Sequence, residues 1–159
     1  MPNLRGGSML NEILEEEIEK NKITLKTHSF RSNFNAITIG KTILLSSALE
    51  NTAQKNAITA HELGHQYTCA QNLLDADEHI QNKYEYMADR WAAERVMPME
   101  KLLLGFKRGL RTMDEFCDFL EIDEQFFCRS LSVFSKTYGE RHIYNGYVFE
   151  FNPLNIKNL

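Results

Sequence analysis

Residues 59–68 read TAHELGHQYT: two histidines four positions apart, with a glutamate directly after the first. These residue types at this spacing can hold a metal ion and move a proton. On a helix, positions four apart project from one face, so His61 and His65 can reach the same ion. A catalytic zinc takes three protein ligands and keeps one position open for water. Glu62 would be carried beside that open position, where a carboxylate can take the water's proton as a general base.

Two histidines are not enough, so a third ligand is required. The extension HExxHxxGxxH is excluded, because Thr68 and Gln71 stand where it needs Gly and His. The other common solution is a glutamate on the next helix. Glu85 lies twenty residues beyond His65, and residues 66–84 are available to turn the chain back. Asp89, four residues after Glu85 and on the same helical face, can accept the free ring N–H of a liganding histidine and fix its tautomer. His79 lies in the polar stretch DADEHIQN and reads as a solvated loop histidine, and His28 has no recognisable context. Trp91, Ala92 and Val96 read as core packing.

The elements that must position these groups follow from the pattern. Leu10, Ile13, Leu14, Glu17 and Ile18 recur at helical spacing over 9–21, with acids on the opposite face. Ile23, Leu25 and Thr27 alternate as a strand, and Ile37, Ile39, Ile43 and Leu45 alternate around Gly40-Lys41 as a hairpin. Ser47-x-x-Glu50 and Asn51-x-x-Gln54 are two candidate starts for the helix that carries the HExxH. A loop is expected over 71–82, then a helix over 83–97 that Pro98 closes. Further helices are expected over 99–108, from the Thr112-x-x-Glu115 cap, and from Asp123 to Gly139. Asn145-Gly146 between alternating aromatics predicts a terminal hairpin. The order is that of an α+β domain, mostly helical, with a short N-terminal antiparallel sheet and a C-terminal hairpin.

The chain has 159 residues, 43% apolar and 25% charged, as an ordinary globular domain would. Residues 1–8 read as an irregular tail or remnant, 9–98 as the core, and 99–159 as a helical segment and hairpin packed on it. A net charge of -4 gives no general reason to bind nucleic acid or an anionic membrane. No apolar run approaches the roughly 20 residues of a membrane span. Glu12, Glu15, Glu16, Glu17 and Glu19 stand where a signal peptide needs basic and then apolar residues. Cys69, Cys117 and Cys128 fit reduced thiols, so the cytoplasm is the expected compartment.

HELGH followed by EYMADRWAAERVMP at 85–98 resembles the ImmA/IrrE family of zinc metallopeptidases, whose second motif has the form E-x-E-A-N/D-x-F-A-x-x-L-L-x-P. Glu85, Ala88, Asp89, Ala92 and Pro98 match it. Met87 replaces the second acid, Trp91 the Phe, and Arg95-Val96 the Leu pair. The terminal YNGYVFEFNPL is similar to the end of short members from phages and mobile elements. The resemblance implies a small zincin-like core, a zinc cofactor, a cytoplasmic location and a protein substrate. Relatives cleave helix-turn-helix transcriptional repressors encoded nearby and so relieve repression. The longer ones add a C-terminal sensor domain, for which this chain is expected to be too short.

A peptidase of this kind needs a donor for the developing oxyanion. Tyr144, Tyr147 and His142, with Arg141, are candidates in the terminal segment. A competing reading comes from another class. Residues 112–138 read helix, turn, helix, which suits a DNA-binding element. Its charge argues otherwise, because a recognition helix opening with Asp123-Glu124 meets phosphates with the wrong sign. A non-catalytic zincin that binds a repressor is a third reading, and an intact Glu62 argues against it.

Overall fold

The computed structural model describes residues 10–68 and 76–159. The first helix, α1 (Glu12–Lys20), starts where Asn11 accepts a hydrogen bond from the Ile13 amide at 2.9 Å. Asn11 is buried, and its own amide donates to Asn56 Oδ1 at 2.8 Å. Strands β1 (Thr24–His28), β2 (Ala36–Ile39) and β3 (Thr42–Ser46) follow. The expected hairpin forms as β2 and β3, which pair antiparallel with Thr38 opposite Ile43. The sheet as a whole is mixed rather than antiparallel, because β1 joins β3 in parallel, Leu25 beside Ile43. Alternation of apolar residues shows that a strand exists but says nothing of which neighbour it takes. The order β1-β3-β2 leaves β2 on the edge.

Helix α2 (Thr52–Tyr67) carries the HExxH, and of its two candidate starts the chain uses Asn51, whose side chain accepts from the Gln54 amide at 2.9 Å. Helix α3 (Glu78–Val96) begins five residues earlier than expected, capped by Asp77, which accepts from the Ile80 amide at 2.9 Å. In the added turns Ile80 is the one apolar residue and it is exposed, so they carry no apolar period to read. His79 therefore sits exposed on the first turn of a helix, not in a loop. The expected loop is described only from residue 76 onward, and Cys69, residues 1–8 and Gln71 lie outside the described residues.

Helices α4 (Met99–Lys107), α5 (Met113–Leu120) and α6 (Glu124–Tyr138) come next, with the Thr112/Glu115 capping box formed as expected. Strands β4 (Arg141–Tyr144) and β5 (Tyr147–Phe151) make the terminal hairpin, with positive φ at both Asn145 and Gly146, as a tight primed turn demands. A further strand, β6 (Leu154–Asn158), pairs with β5 and extends the hairpin to three strands. Only Leu154 and Ile156 alternate there among polar residues, too short a signal to read as a strand. One hydrophobic core runs through all of these elements, from Leu14 on α1 to Ile156 on β6. Among the described residues no helix is long and apolar enough to cross a membrane.

Candidate metal centre

The site exists because α2 and α3 cross without a side chain between them. A β-carbon on Gly64 would stand 2.4 Å from the Ala88 carbonyl oxygen, so only glycine allows this approach. Gly64 lies inside the HExxH and Ala88 inside the ExxxD of the next helix. Their contact therefore sets both halves of the constellation against each other. Ala88, Ala92, Ala93 and Val96 continue the seam as small or branched buried residues, and Trp91 packs against Tyr67 with ring centroids 4.5 Å apart.

His61, His65 and Glu85 converge on one point. His61 Nε2 stands 3.1 Å from Glu85 Oε2, His65 Nε2 stands 3.1 Å from Glu85 Oε1, and the two Nε2 atoms are 3.0 Å apart. Around a tetrahedral zinc with metal–nitrogen bonds of about 2.0–2.1 Å, ligand atoms lie about 3.3 Å from one another. The donor set thus fits such an ion in type and in spacing. Asp89 Oδ1 lies 2.8 Å from His61 Nδ1. With the ring proton donated to Asp89, Nε2 presents its lone pair to the cluster. Burial works against the protonated ring, but the hydrogen bond to Asp89 and the charges of Asp89, Glu85 and Glu62 outweigh it and raise the His61 pKa.

Glu62 is held from the sheet. Thr38 on the edge strand donates its hydroxyl to Glu62 Oε2, leaving the other carboxylate oxygen uncommitted to Thr38. A cleft of about 240 Å³ opens beside His61 and Glu62, floored by Ala36, Ala57, Ile58 and Phe126. Its rim is polar, with Asn35, Asp123, Gln125 and Arg129. A larger cavity of about 570 Å³ lies on the opposite face of α6, among Phe116, Phe127, Leu131 and Phe151. No histidine or carboxylate lines it, whereas the smaller one is lined by His61 and Glu62.

The residues considered for the oxyanion are elsewhere. Tyr144 packs on Phe149 and lies near Glu100, Tyr147 meets Phe106 with Lys107 over its ring, and His142 stacks on Tyr138. Arg141 pairs with Glu150 across β4 and β5. None of the four lines the cleft beside Glu62. Two groups that do reach the site, Thr38 and Arg129, escaped notice in the sequence. Thr38 reads there as one member of an alternating strand, and Arg129 as one charge in a mixed helix.

The helix pair at 112–138 forms as α5 and α6, joined by Glu121 in the left-handed region at φ 58. Asp123, Gln125, Phe126 and Arg129, at the start of α6, face the cleft beside Glu62. The end of α6 that a DNA-binding element would present to a groove is turned toward the metal centre instead.

The family model for Peptidase_M78, the IrrE N-terminal-like domain, matches residues 12–132. No curated protein and no solved structure matches the chain. The matched region runs from α1 into α6, about three quarters of the chain, and contains every residue of the cluster. With His61, His65 and Glu85 in the HExxH-plus-Glu arrangement, the chain belongs to the Peptidase_M78 family of metallopeptidases.

Proposed function

We propose that this protein is a zinc-dependent endopeptidase of the cytoplasm that cleaves a helix-turn-helix transcriptional repressor, of the kind carried by phages and mobile elements, and so relieves repression. The observation that carries the reading is the convergence of His61, His65 and Glu85 with Glu62 alongside. Zinc in such a site supplies a Lewis acid for the scissile carbonyl and lowers the pKa of coordinated water to about 7. His61, His65 and Glu85 would hold the ion, and Asp89, 2.8 Å from Nδ1, would fix the His61 ring. Thr38 holds one Glu62 oxygen, so the other is free to accept the water's proton and deliver it to the leaving amine.

The edge position of β2 supports a substrate lying extended along it, adding its backbone to the sheet. A folded repressor hides its backbone in helices, so cleavage falls in a linker or a locally unfolded segment. The test is to incubate the protein with the small repressor encoded beside it, with and without a chelator, and to weigh the fragments by mass spectrometry. One or two defined, chelator-sensitive cuts are expected, with slow or no digestion of casein. Indiscriminate casein digestion points to a degradative protease, and an intact repressor to a non-catalytic binder. Salt-dependent binding of duplex DNA would revive the DNA-binding reading, which the acidic start of α6 opposes.

A further inference from the structure

The cleft beside Glu62 holds a cation in the middle of a carboxylate cluster, and its neighbours have other engagements. Asp89 faces the Nδ1 of His61 at 2.8 Å. Asp123 accepts the Phe126 amide at 2.9 Å as the cap of α6. Glu62 takes the Thr38 hydroxyl. Arg129 is the exception. Among the described residues its ionic partner is Asp89, reached at 3.7 Å through one terminal nitrogen, and its side chain is half exposed. A guanidinium carries five donors in a planar fork, and a single long contact leaves most of them unfilled and pointing where a ligand can meet them.

The volume of the cleft says how much it takes. About 240 Å³ lies below the roughly 300 Å³ at which pockets for whole small molecules begin, and suits one amino-acid side chain. The floor of Ala36, Ala57, Ile58 and Phe126 suits the methylene stem of that side chain, and Arg129 suits its charged end. Asn35 and Gln125 on the rim can donate amide N–H groups to the same acceptor.

We infer that the cleft is a specificity subsite in which Arg129 selects an aspartate or glutamate of the substrate, next to the bond that is cut. The inference rests on the peptidase reading above and names the chemistry of the sequence it accepts. Arg129 reads the substrate and takes no part in bond cleavage, so its loss raises KM for acidic substrates and spares kcat. A planar fork matched to a carboxylate also makes lysine a poor replacement.

The test is a mixture library of ten-residue peptides, each position fixed in turn as every amino acid, digested by the zinc-loaded protein. Wild type is expected to favour Asp or Glu over Asn or Gln at one position beside the cut by about tenfold, the discrimination of one charge-assisted hydrogen bond. Arg129→Gln should lose that preference while keeping zinc content and unfolding temperature, and Arg129→Glu should favour Lys or Arg at the same position. Should Arg129→Glu fold poorly, Arg129→Gln and Arg129→Ala still carry the comparison. Binding gives a second readout, by fluorescence anisotropy of the preferred peptide and its amide counterpart on zinc-loaded Glu62→Gln protein. Cutting without any acid preference overturns the inference and leaves the peptidase standing, as does a preference that survives Arg129→Glu. An equal fall in kcat for every peptide overturns it too, since that marks a general role. No cutting and no binding by any form overturns the peptidase reading, and the inference with it.

Discussion

Gly64 and Ala88 touch backbone to backbone, and that contact sets the candidate metal ligands His61 and His65 against Glu85. Gly64→Ala tests it. Helix propensity alone would favour alanine by about 1 kcal/mol. Forcing a methyl into a packed seam costs about 1–3 kcal/mol, and more where backbone rather than a flexible side chain stands in the way. The clash at 2.4 Å is with backbone, so the clash wins. The variant should lose at least about 2 kcal/mol in a urea melt and bind zinc more weakly, because α3 must retreat and take Glu85 with it. Unchanged stability and affinity would show the helices to be farther apart than described.

One zinc per chain is expected by elemental analysis, and His61→Ala, His65→Ala or Glu85→Ala should each abolish tight binding. Asp89→Ala should weaken it less, by about 10- to 100-fold, because it acts through His61 rather than on the ion. Affinity should also fall as the pH is lowered. A ligand must be deprotonated to bind, and in the metal-free protein the raised pKa of His61 brings its proton into competition sooner than an ordinary histidine would. Competition with a chromophoric chelator at successively lower pH reads this directly. A flat profile through neutrality would remove His61 from the ligand set.

Glu62→Gln keeps the size and shape of the side chain and removes the proton acceptor. It should retain zinc and fold while turnover falls by at least about two orders of magnitude. Thr38→Val keeps a β-branched residue in the edge strand and deletes the hydroxyl that holds Glu62. A fall in kcat of about tenfold with KM little changed is expected, since a loosened base costs part of its catalytic factor. Thr38→Ser should restore much of the rate, because it returns the hydroxyl. Failure of serine to rescue would show that valine acted through strand packing.

Thr59 on α2 is wholly buried, and its hydroxyl has no hydrogen-bond partner among the described residues. An unpaired buried hydroxyl costs about 1–3 kcal/mol. Thr59→Val replaces it with a methyl of similar size, so the unfolding midpoint should rise or stay level. A clear drop would mean that the hydroxyl has a partner after all.

The local chemistry of the site was legible because helices repeat it at short range. HExxH and ExxxD each place two groups on one helical face, and the caps at Asn51, Thr112 and Asp123 are signals within four residues. What escaped is what only the tertiary fold brings together. Thr38 and Glu62 are 24 residues apart, with β2, β3 and the start of α2 between. Arg129 reaches Asp89 only because α6 packs on α3. The parallel pairing of β1 with β3 escaped for the same reason, since it depends on the path of residues 29–35 and not on any local period.

Glu17 gives the first helix a stake in the metal centre that its place in the chain does not suggest. Its carboxylate is almost wholly buried, yet it meets Arg95 of α3 at 2.5 Å and takes the hydroxyl of Tyr67 at the end of α2. Removing Arg95 leaves that buried carboxylate without its counter-charge, which costs several kcal/mol. α1 therefore does not peel away from the HExxH helix by itself. The three helices should open together, and hydrogen exchange should find their slowest amides sharing one protection factor, so that the metal ligands are only as rigid as a helix that contributes none of them.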